Sequence, residues 1–126
     1  MKKEIQARIL IVEDEPLAAL EIQETLEKKG YIVSRVVTSG EQAVDSLIKT
    51  KPDLIIMDIH LKSFIDGIDA AHRIRLVSDT PIIYVTAYPN TAIKDRAAKT
   101  APVAYLLKPF KEKELYSSVE KALKKK

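Results

Sequence analysis

Cysteine is absent from this chain of 126 residues. That excludes a disulfide framework, a zinc–thiolate site and a thiol nucleophile, and it fits a reducing cytosol. Long hydrophobic runs are also missing. The longest apolar stretches reach five to six residues, far short of the roughly 20 that cross a bilayer. Met1-Lys2-Lys3-Glu4 is charged but is not followed by the apolar run of a secretory leader. Low-complexity segments, internal repeats and linkers are not visible. The expectation is a soluble, cytoplasmic protein without a membrane partner.

Aromatic residues make up 6% of the chain, too few to give its lysines the stacking platforms of single-strand nucleic-acid binders. Formal net charge is +3, and the excess sits at the ends, in Lys2, Lys3, Lys121, Lys124, Lys125 and Lys126. Lysines at the end of a last helix are read as a solvated helix terminus favoured by the helix dipole. Direct nucleic-acid binding is not expected.

What is present is a regular alternation. Short runs rich in Ile, Val and Leu occupy Arg8–Val12, Tyr31–Val37, Leu54–Met57, Pro81–Val85 and Val103–Leu107. None alternates strictly with polar residues, which predicts strands buried on both faces. Amphipathic stretches lie between them. Pro16–Lys29 places Ala19, Ile22 and Leu26 on one stripe, and Gly30 follows as a helix stop. Ser39-Gly-Glu-Gln42 reads as a capping box, followed by an apolar face of Ala43, Val44, Leu47 and Ile48. Asp66–Arg75 and Thr91–Lys99 predict shorter helices, and Leu115, Val119, Ala122 and Leu123 mark a last one.

Repeated strand–helix units of this length predict an α/β doubly wound parallel sheet with right-handed crossovers. Five of them fit the flavodoxin-like (βα)5 architecture with strand order 2-1-3-4-5, in which ligands sit beyond the carboxyl ends of strands one and three. Residues 1–126 are expected to form one domain with no output domain attached.

The strand ends carry the chemistry. Strand one runs into Glu13, Asp14 and Glu15, strand three into Asp58, strand four into Thr86 and strand five into Lys108. A parallel sheet puts all these ends on one edge, so the groups should meet in one cleft. Glu13, Asp14 and Asp58 would repel one another and raise one another's pKa. A hard divalent cation relieves that repulsion, and an all-oxygen donor set suits Mg2+. Asp58 is then a candidate nucleophile toward phosphorus. Lys108 could stabilise transferring charge, Thr86 could donate a hydrogen bond, and the small Ala87 leaves room for phosphoryl oxygens.

Arg8-Ile-Leu-Ile-Val-Glu-Asp-Glu-Pro16, Leu54-Ile-Ile-Met-Asp58, Val85-Thr-Ala87 and Tyr105-Leu-Leu-Lys-Pro-Phe110 resemble the signature segments of two-component response regulator receiver domains, of the chemotaxis-regulator-like kind. The resemblance covers essentially the whole chain. It implies a phosphorylated Asp58, a Mg2+ ion held directly by Asp14 and Asp58, and Glu13 acting mostly through water. The backbone carbonyl of His60 would complete the protein ligands. It further implies a conformational switch made by Thr86 and Tyr105, and a cis bond between Lys108 and Pro109. The implied partner is a sensor histidine kinase or phosphotransfer protein, and the chain acts as a phosphoacceptor rather than an enzyme. Phosphoryl lifetime would be tuned by His60 and Tyr88, where bulky rings predict slow self-dephosphorylation.

Two segments depart from the family pattern. Leu61-Lys-Ser-Phe-Ile-Asp-Gly67 is longer than the usual turn and lacks its proline, and Ala101-Pro102-Val103-Ala104 replaces a common Gly-Ala-x-Asp. Plainer readings stand beside the sharp ones. Asp53 and Asp66 read as turn residues, His72 as a surface histidine, and Tyr105 on composition alone as core. Three rival functions remain on the sequence. A Mg2+-dependent aspartyl phosphatase wants Asp-x-Asp, but the second position here is His60. A flavin carrier wants a Ser/Thr/Gly-rich loop after strand one, where this chain has three acids. An unphosphorylated docking module of receiver type would need none of the acid, Thr and Lys set.

Overall fold

The computed structural model describes residues 6–88 and 90–124. Lys2, Lys3, Lys125 and Lys126 lie outside the described residues. In chain order the elements are β1 (Arg8–Val12), α1 (Pro16–Lys28), β2 (Ile32–Val37), α2 (Gly40–Thr50), β3 (Leu54–Asp58), α3 (Gly67–Arg75), β4 (Ile82–Thr86), α4 (Thr91–Ala98), β5 (Ala104–Leu107) and α5 (Glu112–Lys124). All pairings are parallel, and the strand order is β2-β1-β3-β4-β5. This is the flavodoxin-like α/β fold. No helix among the described residues is long and apolar enough to cross a membrane.

Period-two alternation along the strands splits the core between the two sheet faces. Ile9 and Ile11 of β1, Leu54 and Ile56 of β3, and Ile83 and Val85 of β4 pack under α1 and α5 against Ile22, Leu26, Leu115 and Val119. The intervening Leu10, Val12, Ile55, Met57, Ile82 and Tyr84 pack under α2, α3 and α4 against Ala43, Leu47, Ala71, Ile74 and Ala97. Fully burying one such aliphatic side chain contributes about 2 kcal/mol.

Burial on both faces holds for β3 and β4 and for all of β1 except Arg8. It fails for β2, whose Ile32 and Val36 are exposed, and for the half-buried β5. These two are the edge strands, each with a single neighbour, and helices cover edges less completely. Sequence hydrophobicity could not separate edge from centre.

Helix termini follow local chemistry. Gly30 adopts φ 94, which an L side chain would resist. Its N–H donates to Glu27 O and that of Tyr31 to Leu26 O, the paired bonds of a Schellman stop. Ser39 Oγ accepts from Gln42 N at 3.1 Å, which is half of the expected capping box. The Gln42 side chain reaches back one residue further and accepts from Thr38 N at 3.0 Å. Ile48 is 57% exposed, so the apolar face of α2 is narrower than its sequence implies. Asp66 is the N-cap of α3 in a complete capping box with Asp69, rather than a simple turn residue. Asp53 Oδ2 accepts from Arg8 N at the far end of the sheet, and His72 is exposed on α3.

Candidate functional site

The site is assembled from strand ends that register side by side. Val12 pairs with Met57, Asp58 with Val85, and Thr86 with Leu107, so the residues just beyond β1 and β5 flank the ends of β3 and β4. Glu13 extends the β1–β2 pairing by donating its N–H to Val37 O, and its carboxylate turns inward with only 1% exposure. Asp58 continues the row of Leu54 and Ile56 and is 5% exposed. Carboxylate oxygens of Glu13, Asp14 and Asp58 lie within 4.8 Å of one another. Lys108 Nζ is 2.7 Å from Glu13 Oε1 and 3.9 Å from Asp58 Oδ2.

Backbone donors hold the acids in place. Glu15 N donates to Glu13 Oε2 at 3.2 Å, Lys62 N to Asp14 Oδ2 at 2.6 Å, and His60 N to Asp58 Oδ1 at 3.2 Å. Thr86 is fully buried, and its Oγ1 accepts from Tyr88 N at 3.3 Å. Lys108 N donates to Thr86 O at 2.7 Å, and the Lys108–Pro109 bond is cis.

Three carboxylates facing one ammonium leave a formal excess of two negative charges. Burial, then the neighbouring Glu13 carboxylate, push the Asp58 carboxyl up to about 7, with Lys108 pulling the other way. Three hard oxygen donors with surplus negative charge suit a divalent cation such as Mg2+. Glu13, Asp14 and Asp58 could hold one. The His60 side chain is exposed, outside the cluster of three carboxylates.

The raised Asp58 carboxyl predicts a stability effect. The folded value lies above the unfolded 3.8, so Asp58 penalises folding by nothing below pH 4. Stability is lost as pH rises through about 7 and the buried group ionises. Without divalent metal, Asp58→Asn should therefore be more stable than wild type at pH 8 by on the order of a few kcal/mol, with the gap closing near pH 4. Urea titrations in EDTA at the two pH values read this directly. A constant difference would show that Asp58 carries no charge penalty.

Tyr105 lies apart from the carboxylates. It is half-buried against the α2–α3–α4 side of the core, with its ring 6.5 Å from that of Tyr84 and the Lys94 ammonium 5.6 Å from its centroid. Its hydroxyl is buried and has no hydrogen-bond partner among the described residues. Tyr88 is 58% exposed, and its ring meets that of His60 edge-on at 4.6 Å.

The description "response regulator receiver domain" fits residues 9–120 of this fold and cleft. The chain belongs to that family. Receivers are elements of two-component signalling rather than classical enzymes, and a receiver implies a histidine kinase as its partner. This receiver is 36% identical over 119 residues to the transcriptional regulatory protein PdtaR of Mycobacterium tuberculosis, covering 94% of this chain and 58% of that protein. The chain spans about half the length of the curated relatives it matches. Among solved structures, it resembles the signal receiver domain of a modulated diguanylate cyclase from Desulfovibrio desulfuricans G20, with TM-score 0.90 and 36% identity over 96% of each chain. It also resembles the receiver domain of the sensor histidine kinase PA1611 from Pseudomonas aeruginosa PAO1, with TM-score 0.86 and 32% identity. That match covers 95% of this chain and 99% of the other, which has a magnesium ion coordinated in its active site cleft.

Several residues that shape the receiver cleft carry little signal in the sequence. Gly67 packs directly on the Asp58 carbonyl, and its N–H donates to Ile59 O at 2.9 Å. Ser63 links the β3–α3 loop to the first residue of α2. Tyr84 anchors β4 to the end of α4 through Thr100, hydroxyl to hydroxyl at 2.6 Å. An Asp-Gly pair ahead of a helical pattern hinted at Gly67, but only as a turn.

Proposed function

We propose that Asp58 accepts a phosphoryl group from the phosphohistidine of a sensor histidine kinase or phosphotransfer protein, with residues 1–126 acting as one receiver unit. The observation that carries this reading is the meeting of Glu13, Asp14 and Asp58 oxygens within 4.8 Å, with Lys108 Nζ 3.9 Å from Asp58. Mg2+ would be held by Glu13, Asp14, Asp58 and the His60 carbonyl. When bound, it supplies charge neutralisation and Lewis-acid stabilisation of phosphoryl oxygens.

The chain's own groups do the rest. An Asp58 carboxylate oxygen attacks phosphorus, the O–P bond forms as the donor's N–P bond breaks, and that electron pair stays on the leaving imidazole nitrogen. Lys108, positioned by Glu13, turns part of its ammonium toward the new negative charge. Thr86, at the end of β4 beside β3, would turn its hydroxyl to donate to a phosphoryl oxygen. Drawing Thr86 inward would bias the two-state packing of Tyr105, and the unpartnered Tyr105 hydroxyl gives that residue a reason to leave its present position.

Incubation with acetyl phosphate and Mg2+ tests the reading. The expected product carries one acid-stable, base-labile phosphoryl group by intact mass, and EDTA prevents its formation. A protein that stays unmodified under both conditions is a docking module instead.

Lifetime follows from the two rings. His60 and Tyr88 pair edge-on, and on this reading the two rings would form a wall beside the approach of an in-line water. Tyr88→Ala removes one wall, so phosphoryl loss after donor removal should quicken several-fold relative to wild type. An equal or longer half-life would show that the ring pair shields nothing.

A further inference from the structure

The β3–α3 loop, Ile59 to Asp66, is one of the places where this chain departs from the usual family turn, and it is fastened at successive residues. Lys62 N donates to Asp14 Oδ2 across 48 positions of sequence at 2.6 Å. Ser63 Oγ, next in the chain, accepts from Gly40 N at 3.2 Å and donates to Ile65 O at 2.7 Å. Ile65 is 5% exposed and sits over Gly40, where an added Cβ would come within 2.6 Å of Ile65 Cγ1. Phe64 between them points out, 95% exposed. One hydroxyl therefore joins the loop to the start of α2 while the adjacent peptide grips a site carboxylate.

We propose that Ser63 is a positioning residue for cation binding: by tying the loop to Gly40, it holds the Lys62 N–H against Asp14 and keeps that carboxylate's other oxygen aimed into the cleft. The inference rests on the Mg2+ reading of the Glu13, Asp14 and Asp58 cluster. Its physical basis is preorganisation. A free loop must be ordered when the cation binds, and the entropy of that ordering is subtracted from affinity. With Ser63 in place that ordering would be made before a cation binds. Alanine removes both bonds of the hydroxyl, whereas threonine keeps a hydroxyl that can make them.

Mg2+ titrations by calorimetry on the full chain, for wild type, Ser63→Ala and Ser63→Thr, read the effect without any phosphoryl transfer. Amide exchange at Lys62 in EDTA reads the tether without metal. Ser63→Ala should weaken Mg2+ binding about fivefold, the scale of one net hydrogen bond, and Ser63→Thr should return it to within twofold of wild type. The Lys62 amide should exchange faster in Ser63→Ala and at the native rate in Ser63→Thr. A residue that merely stabilises the loop would shift the thermal midpoint and leave Mg2+ affinity alone. Ser63→Ala with wild-type Mg2+ affinity overturns the proposal, whether or not Lys62 exchange changes. A wild-type chain that takes up no Mg2+ overturns the metal reading itself, and with it any role for Ser63 in cation binding, even where Lys62 exchange still reveals the tether.

Discussion

Asp58→Asn should gain no phosphoryl group from acetyl phosphate under conditions that label the wild type. The substitution keeps the side-chain shape and can keep the acceptor oxygen for His60 N, but it replaces the nucleophilic carboxylate with an amide. The neighbouring carboxylates have partners of their own. Glu13 is engaged by Lys108 and by Glu15 N, and Asp14 by Lys62 N. Loss of labelling should be complete by intact mass, and circular dichroism should show an unchanged fold. Labelling of Asp58→Asn at wild-type yield would assign the chemistry to another residue and sink the phosphoacceptor reading of Asp58.

Gly67→Ala is expected to cost about 3 kcal/mol or more of stability, the largest loss among alanine substitutions at the three glycines. An alanine Cβ there would collide with the Asp58 carbonyl oxygen and come within 3.0 Å of both Asp58 C and Ile59 Cα. These are backbone atoms of a buried strand end and cannot step aside as a side chain would. The helix cannot retreat either, because Gly67 N–H is bonded to Ile59 O at 2.9 Å and Asp66 caps the same turn. Gly40→Ala makes a useful contrast. Its nearest obstacle is the flexible Ile65 side chain, so its loss should be smaller. Urea midpoints of the two variants in EDTA decide the matter. Gly67→Ala within 1 kcal/mol of wild type would mean that α3 and β3 are not packed this closely.

Much of the site was legible because parallel topology does the gathering. Once five apolar runs alternate with helices, the carboxyl ends of the strands must share an edge. Glu13, Asp14, Asp58, Thr86 and Lys108 are then neighbours even though residues 13 and 108 stand 95 positions apart. The ring pair of His60 and Tyr88 was not legible, since each position was read separately as a cover for water. Nor was the distance of Tyr105 from the carboxylates, because its place before Lys108 in the chain says nothing about which face of the sheet it joins.

The amino-acid sequence by itself determined the elements, their order and the polar groups at the strand ends, because periodicity and capping act over a few residues and need no distant partner. Pro16 and Gly30 bracket α1 in this way, and the capping residue Ser39 begins α2. Only the tertiary structure decided how far the edge strands β2 and β5 are left uncovered, which amide holds which carboxylate, and how strongly burial pushes the Asp58 carboxyl up. Those outcomes depend on register, burial and close approach between segments dozens of residues apart. Gly67 against the Asp58 carbonyl and Ser63 against Gly40 are contacts of that kind, set by how the layers pack and not by any local pattern.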